Sequence, residues 1–192
     1  INMIRGIIFD CFGVLYGRAV DAIRELCPDK YQQELSDLNK QADHGFISGR
    51  EYIEGIAEIV GRTAGEIGEI LDERHVRNSE LLAYSQSLRD HYKVGLLSNV
   101  SSGTLDELFS PEERSKLFDA VLLSYEEHLV KPNPEVFRIM AQRMGLRPEE
   151  CVMIDDLEEN CEGAEVAGMR SVEHITNAHP KAMRSKILQA TK

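Results

Sequence analysis

The sequence predicts a doubly wound α/β fold, with a parallel sheet as its core and a small α-helical cap. Short apolar runs that end in polar residues alternate with helical segments along most of the chain, the pattern of a parallel sheet covered on both faces. The interval from Gly17 to about Leu82 contains no strand candidate and is helical in pattern throughout. A chain of 192 residues is long enough for one such core with an insertion.

Five segments are predicted as strands because each is a short apolar run bounded by polar or turn-forming residues. They are Arg5 to Asp10, Lys93 to Ser98, Ala120 to Ser124, Cys151 to Ile154, and a last strand near Ser171 to His174.

Helices are predicted between these strands. The core helices are Ser102 to Phe109, Pro134 to Met144, Leu157 to Ala167 and Lys181 to Ala190. Gly168 follows the third of them at the position where a glycine commonly ends a helix.

The long interval after the first strand reads as four helices, Val20 to Leu26, Lys30 to Asp43, Arg50 to Val60 and Ala64 to Val76. Ser48 and Thr63 precede two of them, each with a glutamate three residues on, which predicts capping boxes. We therefore predict a core of residues 1–16 and 83–192 and a cap of residues 17–82. The segment from Ser79 to Tyr92 is expected to return towards the core.

Composition and charge narrow the class of partner. The net charge of −11 disfavours nucleic acid and anionic membrane surfaces, which bind basic stripes. No apolar run approaches the ~20 residues that span a bilayer, and the apolar start from Ile1 to Phe9 lacks the features of a signal peptide. We therefore expect a cytoplasmic protein.

The sequence gives no pattern of structural metal binding by cysteine or histidine. The four cysteines lack C-x-x-C spacing and are expected to be free thiols, with Cys11 in a packing role. The six histidines, which include His179, have no metal-ligand spacing.

Polar side chains follow three of the predicted strands at the point where each strand ends. Asp10 follows the first strand, Ser98 ends the second, and Asp155 and Asp156 follow Ile154. In an open parallel sheet, ligands gather at the carboxyl ends of the strands. A carboxylate there can act as a nucleophile, and paired acids can bind Mg²⁺.

Four motifs together resemble those of the haloacid dehalogenase-like (HAD) hydrolase superfamily along nearly the whole chain. The first motif is Phe9-Asp10-Cys11-Phe12-Gly13-Val14-Leu15, similar to D-x-D-G-[TV]-[LI] but with phenylalanine in place of the second aspartate. The other three are Leu97-Ser98-Asn99, then Lys131-Pro132-Asn133-Pro134, and finally Ile154-Asp155-Asp156 continuing to Asn160.

The resemblance implies a Mg²⁺ site and a nucleophile. Asp10 would be the nucleophile and a direct ligand of the metal, together with Asp156 and the backbone carbonyl of Phe12. Asp155 would bind the metal through water. Gly13 would allow the tight turn that leaves the strand. The resemblance implies that the residues bordering the substrate are Phe12, Gly13, Asn99 and Asn160.

The resemblance also implies how a phosphoryl group is bound. Ser98 would donate a hydrogen bond to a phosphoryl oxygen, and Lys131 would neutralise the charge of the phosphoryl group and of Asp10. Asn99 would add a donor for the substrate, and Asn160 would brace the metal loop or Lys131. Three residues of the cap segment are candidates for contact with a substrate, namely Arg18, Arg50 and Tyr52, but we interpret them as solvated cap surface.

Phe12 leaves three functions open, because phosphatases of the resembled superfamily place their general acid and base there. The first is a Mg²⁺-dependent hydrolase of small phosphorylated metabolites, acting through a covalent aspartyl-phosphate at Asp10. The second is a 2-haloacid dehalogenase, whose first motif carries an aromatic residue at this position and whose second reads Leu-Ser-Asn. The third is a weakly catalytic protein that binds a phosphometabolite. Asp155 and Asp156 favour the first, and a monomer or a homodimer is expected.

Overall fold

A computed structural model of the chain describes residues 3–174 and 180–192, so Ile1 and His179 lie outside the described residues. The strands are β1 (Gly6–Phe9), β2 (Lys93–Ser98), β3 (Ala120–Leu123), β4 (Cys151–Asp155) and β5 (Arg170–Glu173). Within the described residues they form one five-stranded sheet in the order β3-β2-β1-β4-β5, and every neighbouring pair is parallel. The predicted doubly wound parallel sheet is confirmed.

The helices were largely located from the sequence, with ends shifted by a few residues. They are α1 (Val20–Leu26), α2 (Gln32–Asp43), α3 (Gly49–Val60), α4 (Ala64–Arg74), α5 (Ser79–Leu88), α6 (Thr104–Leu108), α7 (Pro111–Leu117), α8 (Ser124–Glu127), α9 (Pro134–Arg143), α10 (Glu158–Ala167) and α11 (Pro180–Ala190). Three helices add to the predicted ones. α5 lies in the segment that is expected to return towards the core, and α7 and α8 are only one or two turns long, too short for a readable periodicity. Among the described residues, no helix is both long and apolar enough to cross a membrane.

Helices cover both faces of the sheet because successive strand residues point to opposite faces. Ile8 and Met153 pack on the face that α9 and α10 cover, in a cluster that includes Phe137 and Ala164. The opposite face packs against α5 and α11 in a second cluster that includes Phe9. The sheet is therefore buried on both sides, and its open edge for ligands is the line of strand ends.

The cap consists of α1 to α4 and has a hydrophobic cluster of its own. Ile23, Leu35, Ile56 and Ile67 form its centre, and each is at most 1% exposed. Both predicted capping boxes are present, at Ser48 and at Thr63, so the N-termini of α3 and α4 are satisfied locally.

The two chain segments that join cap and core run side by side. The Gly17 N–H donates to the Val76 carbonyl at 2.9 Å, and the Asn78 N–H donates to the Leu15 carbonyl at 2.9 Å. α5 begins directly afterwards, at Ser79, and packs against β2 and α11. The predicted division at residues 82 and 83 thus falls inside α5, which lies with the core.

Two glycines allow the far side of the cap to approach the core. A side chain at Gly45 would overlap the Tyr125 carbonyl oxygen, and one at Gly49 would overlap the Ser102 carbonyl oxygen. The close approach also forms a hydrogen bond, in which the Gly49 N–H donates to Ser102 Oγ at 3.1 Å. Close backbone approach is therefore part of how the cap is held over the sheet.

We expect Gly49→Ala to destabilise the protein by about 1–3 kcal/mol, because the added methyl group meets a backbone carbonyl that has little room to move. Gly65→Ala makes the same change within α4, where the nearest atom to the new methyl group is 4.0 Å away. That variant should gain about 0.5–1 kcal/mol from helix propensity. Urea unfolding of both variants provides the measurement, and equal effects would contradict the tight contact between Gly49 and Ser102.

Candidate active site

The strand order brings the sequence-predicted site residues to one edge of the sheet. β1 lies between β2 and β4, and Phe9 is in register with Leu96 and with Ile154. Asp10 therefore emerges between Ser98 and Asp155, and its N–H donates to the Ile154 carbonyl at 2.9 Å. A cavity of about 1390 Å³ lies above this edge, between the core and the cap.

Lys131 links two of the carboxylates. Its Nζ lies 2.9 Å from Asp10 Oδ1 and 2.5 Å from Asp155 Oδ2, and its side chain is 1% exposed. Burial alone would lower the pKa of Lys131, but the Asp10 and Asp155 charges outweigh it and raise the pKa. The ammonium group thus stays charged in a site that water barely reaches.

Asn99 fixes the backbone of Lys131. Its Nδ2 donates to the Lys131 carbonyl at 3.0 Å, and its Oδ1 accepts from the Lys131 N–H at 2.9 Å. This amide pair ties the loop after β2 to the loop that carries Lys131. Asn99 also lines the cavity, so a contact with substrate stays a prediction.

Asp155 is the best-satisfied acid of the site. Besides Lys131, it accepts hydrogen bonds on Oδ1 from Asn160 Nδ2 at 2.9 Å and from the Leu157 N–H at 3.0 Å. Burial would raise the pKa of Asp155, but Lys131 and these donors lower it. The Asn160 amide thus braces the loop after β4 through Asp155, and a contact of Asn160 with substrate stays a prediction.

Asp10, Asp155 and Asp156 each offer a carboxylate oxygen within 4.8 Å of the others. Burial, with the charges of Asp155 and Asp156, raises the pKa of Asp10 to about 7 although Lys131 opposes the change. Asp156 Oδ1 is buried and has no hydrogen-bond partner among the described residues. A trio of hard oxygen donors with an unpaired buried oxygen is a donor set that fits a divalent cation such as Mg²⁺.

The residues after Asp10 shape the approach to this trio. Gly13 has φ +86°, and a side chain there would overlap the Asp156 carboxylate. Phe12 lines the cavity and is half-buried, and its ring packs at a tilt against His75, directly after α4, with ring centroids 5.0 Å apart. The turn predicted at Gly13 is therefore needed for the loop to pass the acid.

Two residues beside the trio are buried. Ser98 is fully buried, and within the described part of the chain its hydroxyl donates only a long hydrogen bond of 3.4 Å, to the Asn99 carbonyl. Cys11 is a buried free thiol within the core cluster, which confirms its predicted packing role. The Cys11 N–H donates to Asp10 Oδ1 at 2.6 Å.

The interpretation of Arg18 as solvated cap surface is wrong. Its guanidinium lies 2.6 Å from Asp156 Oδ2, so this residue of the cap segment reaches an acid that follows β4. Tyr52 is also part-buried and donates to Asn39 Oδ1 at 2.7 Å, whereas Arg50 is solvated as predicted, with 86% of its side chain exposed. Arg18 and Asp156 are 138 residues apart, and no local pattern signals such a pair.

The chain is similar in sequence to a known family of hydrolases and to several of its members. The family model for haloacid dehalogenase-like hydrolases matches residues 4–168. D-ribitol-5-phosphate phosphatase of Bacteroides thetaiotaomicron is 29% identical over 177 residues, which are 80% of this chain and 84% of that protein. Mouse acyl-CoA dehydrogenase family member 10 is 29% identical over 140 residues, 66% of this chain, and the match spans only 13% of that longer protein.

A solved structure has the same fold. A HAD family enzyme of Bacteroides thetaiotaomicron, crystallised with magnesium and inorganic phosphate, superposes with a TM-score of 0.77 at 24% identity. The match covers 94% of this chain and 98% of that one.

We expect Asp10→Asn to stabilise the metal-free protein. The pKa of Asp10 rises from 3.8 to about 7 on folding, so ionised Asp10 costs stability, and this cost grows as the pH rises from 3.8 to 7. The gain in the free energy of unfolding should be on the order of 2 kcal/mol larger at pH 8 than at pH 5.

Urea unfolding in EDTA at the two pH values provides the measurement. Asp90→Asn is the matched control, because Asp90 is exposed and its carboxylate has no hydrogen-bond or ion-pair partner among the described residues. A loss of stability in Asp10→Asn at pH 8 would contradict the electrostatic account of the trio.

Proposed function

Because the chain belongs to the haloacid dehalogenase-like hydrolases, we propose that it is a Mg²⁺-dependent hydrolase of small phosphorylated metabolites that acts through a covalent aspartyl-phosphate at Asp10. The observation that carries the proposal is the carboxylate trio, with Asp156 Oδ1 buried and unpaired beside the candidate nucleophile. The phosphatase named among the relatives and the magnesium and phosphate in the structural relative support the same reading.

Asp10 is the nucleophile in this proposal. One of its oxygens bonds to the substrate phosphorus as the bond to the leaving oxygen breaks, and water later displaces the carboxylate from phosphorus. Lys131 holds one Asp10 oxygen at 2.9 Å, which leaves the other oxygen to attack. Its fixed positive charge also stabilises the phosphoryl oxygens as negative charge develops on them.

Asp10, Asp156 and the Phe12 carbonyl would hold Mg²⁺ directly, with Asp155 bound to it through water. Bound there, the cation neutralises phosphoryl charge and orients the group for in-line displacement. Asp155 is already held by an ion pair with Lys131 and by hydrogen bonds from Asn160 and the Leu157 N–H, so its position does not depend on the metal. Ser98 would donate to a phosphoryl oxygen.

A 2-haloacid dehalogenase is the second candidate, on the grounds of Phe12 and Leu97-Ser98-Asn99. Halide leaves without a proton, so an apolar residue at position 12 suits that reaction. The trio weighs against it, because three carboxylates beside the two cations Lys131 and Arg18 leave an excess of negative charge, which repels the carboxylate of a haloacid. A protein that binds a phosphometabolite without turnover is the third.

We expect phosphate release from acyl, aryl or sugar phosphates that requires both Mg²⁺ and Asp10. The measurement compares the wild-type protein in Mg²⁺ and in EDTA, with Asp10→Asn as the matched blank. Release that survives in EDTA or in Asp10→Asn would contradict the mechanism. Chloride release from 2-chloropropionate without phosphate release would replace the proposal with the dehalogenase.

Arg18→Gln is expected to bind Mg²⁺ more tightly than the wild type, with a Kd lower by about five-fold. The Arg18 guanidinium occupies Asp156 Oδ2 at 2.6 Å, so its removal takes a competing cation from a predicted ligand. Calorimetric titration with Mg²⁺ in the absence of substrate provides the measurement. Arg50→Gln is the control, since Arg50 pairs with Glu54. Weaker binding in Arg18→Gln would show that Arg18 instead helps to build the site.

A further inference from the structure

The proposed reaction needs a proton donor that position 12 does not supply. Phosphate esters with poor leaving groups depend on an acid near the leaving oxygen, which is commonly worth about 10²–10⁴-fold in rate. The side chain of Phe12 is apolar and packs against the His75 ring. A group elsewhere on the cavity wall must therefore carry the proton if such esters are substrates.

Asp43 differs from the other acids of the cavity wall. Outside the carboxylate trio, the described acidic residues that line the cavity are Asp43, Glu54, Asp72, Glu107 and Glu159. All of these except Asp43 are exposed. Glu54, moreover, is paired with Arg50 at 2.8 Å.

The Asp43 carboxylate is not paired with another side chain of the described residues. It makes no hydrogen bond or ion pair with any described residue. Burial raises the pKa of Asp43 to about 6, although the charges of His44 and Lys131 oppose the change. Tyr52 on α3 lies close enough to interact with the Asp43 carboxylate, because the Asp43 charge, together with burial, raises the pKa of Tyr52. A carboxyl group in this state can both give and take a proton near neutral pH.

The end of α2 is held against the core, which fixes where Asp43 stands. His128, directly after α8, donates from Nδ1 to the His44 carbonyl at 2.6 Å. Gly45 lies against the Tyr125 carbonyl, too close for any side chain. Asp43 is the last residue of α2, and it lines the same cavity as Asp10, Phe12 and Lys131. The Lys131 charge lowers the pKa of Asp43, so the two groups are close enough to interact.

We propose that Asp43 is the general acid and base of this hydrolase, supplied by the cap in place of an aspartate at position 12. The inference rests on the proposed function. As the Asp10 oxygen bonds to phosphorus and the ester bond breaks, the Asp43 carboxyl proton passes to the leaving oxygen. In the second step the Asp43 carboxylate takes a proton from the attacking water, the new oxygen–phosphorus bond forms, and Asp10 leaves as a carboxylate.

The test measures kcat/KM for phenyl phosphates whose leaving groups range from dinitrophenol to unsubstituted phenol, with Mg²⁺ present. We expect Asp43→Asn to lose about 10²-fold on phenyl phosphate and less than about 3-fold on dinitrophenyl phosphate, which needs no acid. Asp37→Asn is the matched control, with the same change on the same helix at an exposed position outside the cavity. It should match the wild type throughout the series.

A double variant excludes a merely structural role. Phe12→Asp in the Asp43→Asn background should restore much of the lost rate on phenyl phosphate, because it returns a carboxyl group to the wall of the same cavity at position 12. An equal loss on all substrates, no loss on any, or no rescue would overturn the inference. Wild-type hydrolysis of dinitrophenyl phosphate that is independent of Mg²⁺ and Asp10 would instead overturn the proposed function itself.

Discussion

The buried Lys131 ammonium is the interaction on which the rest of the site depends. Three carboxylates converge at one sheet edge, and like charges at such distances would repel strongly in a poorly solvated setting. Lys131 compensates Asp10 and Asp155 together, and Asn99 holds the Lys131 backbone from both sides. The Lys131 ammonium thereby joins the ends of β1 and β4, and the Asn99 amide joins the loop after β2 to the Lys131 backbone.

A second cation, Arg18, compensates the remaining acid from the segment that leads into the cap. Its contact with Asp156 lies beside the paired crossings at Leu15 and Gly17, so the electrostatics of the core and the position of the cap are coupled. The cap is also seated at its far end, where Gly45 and Gly49 meet core carbonyl oxygens. The cavity is thus enclosed by contacts at both ends of the cap, with acids and cations concentrated at its floor.

The strands and the floor of the site could be predicted from the sequence because their signals are local. An apolar run followed by Asp10 or by Asp155 identifies a strand end, and parallel topology brings such ends together. Arg18 and Asp43 could not be assigned in this way. Their neighbours come from distant parts of the chain, and an arginine or aspartate in a polar helical segment is by itself typical of a solvated surface.

The separate hydrophobic cluster of the cap has an evolutionary consequence. Ile23, Leu35, Ile56 and Ile67 stabilise the cap without help from the two clusters that sandwich the sheet. Changes on the cap wall of the cavity therefore leave the packing beneath the nucleophile untouched. Selection can therefore diversify the upper half of the cavity while the packing of the lower half stays constant.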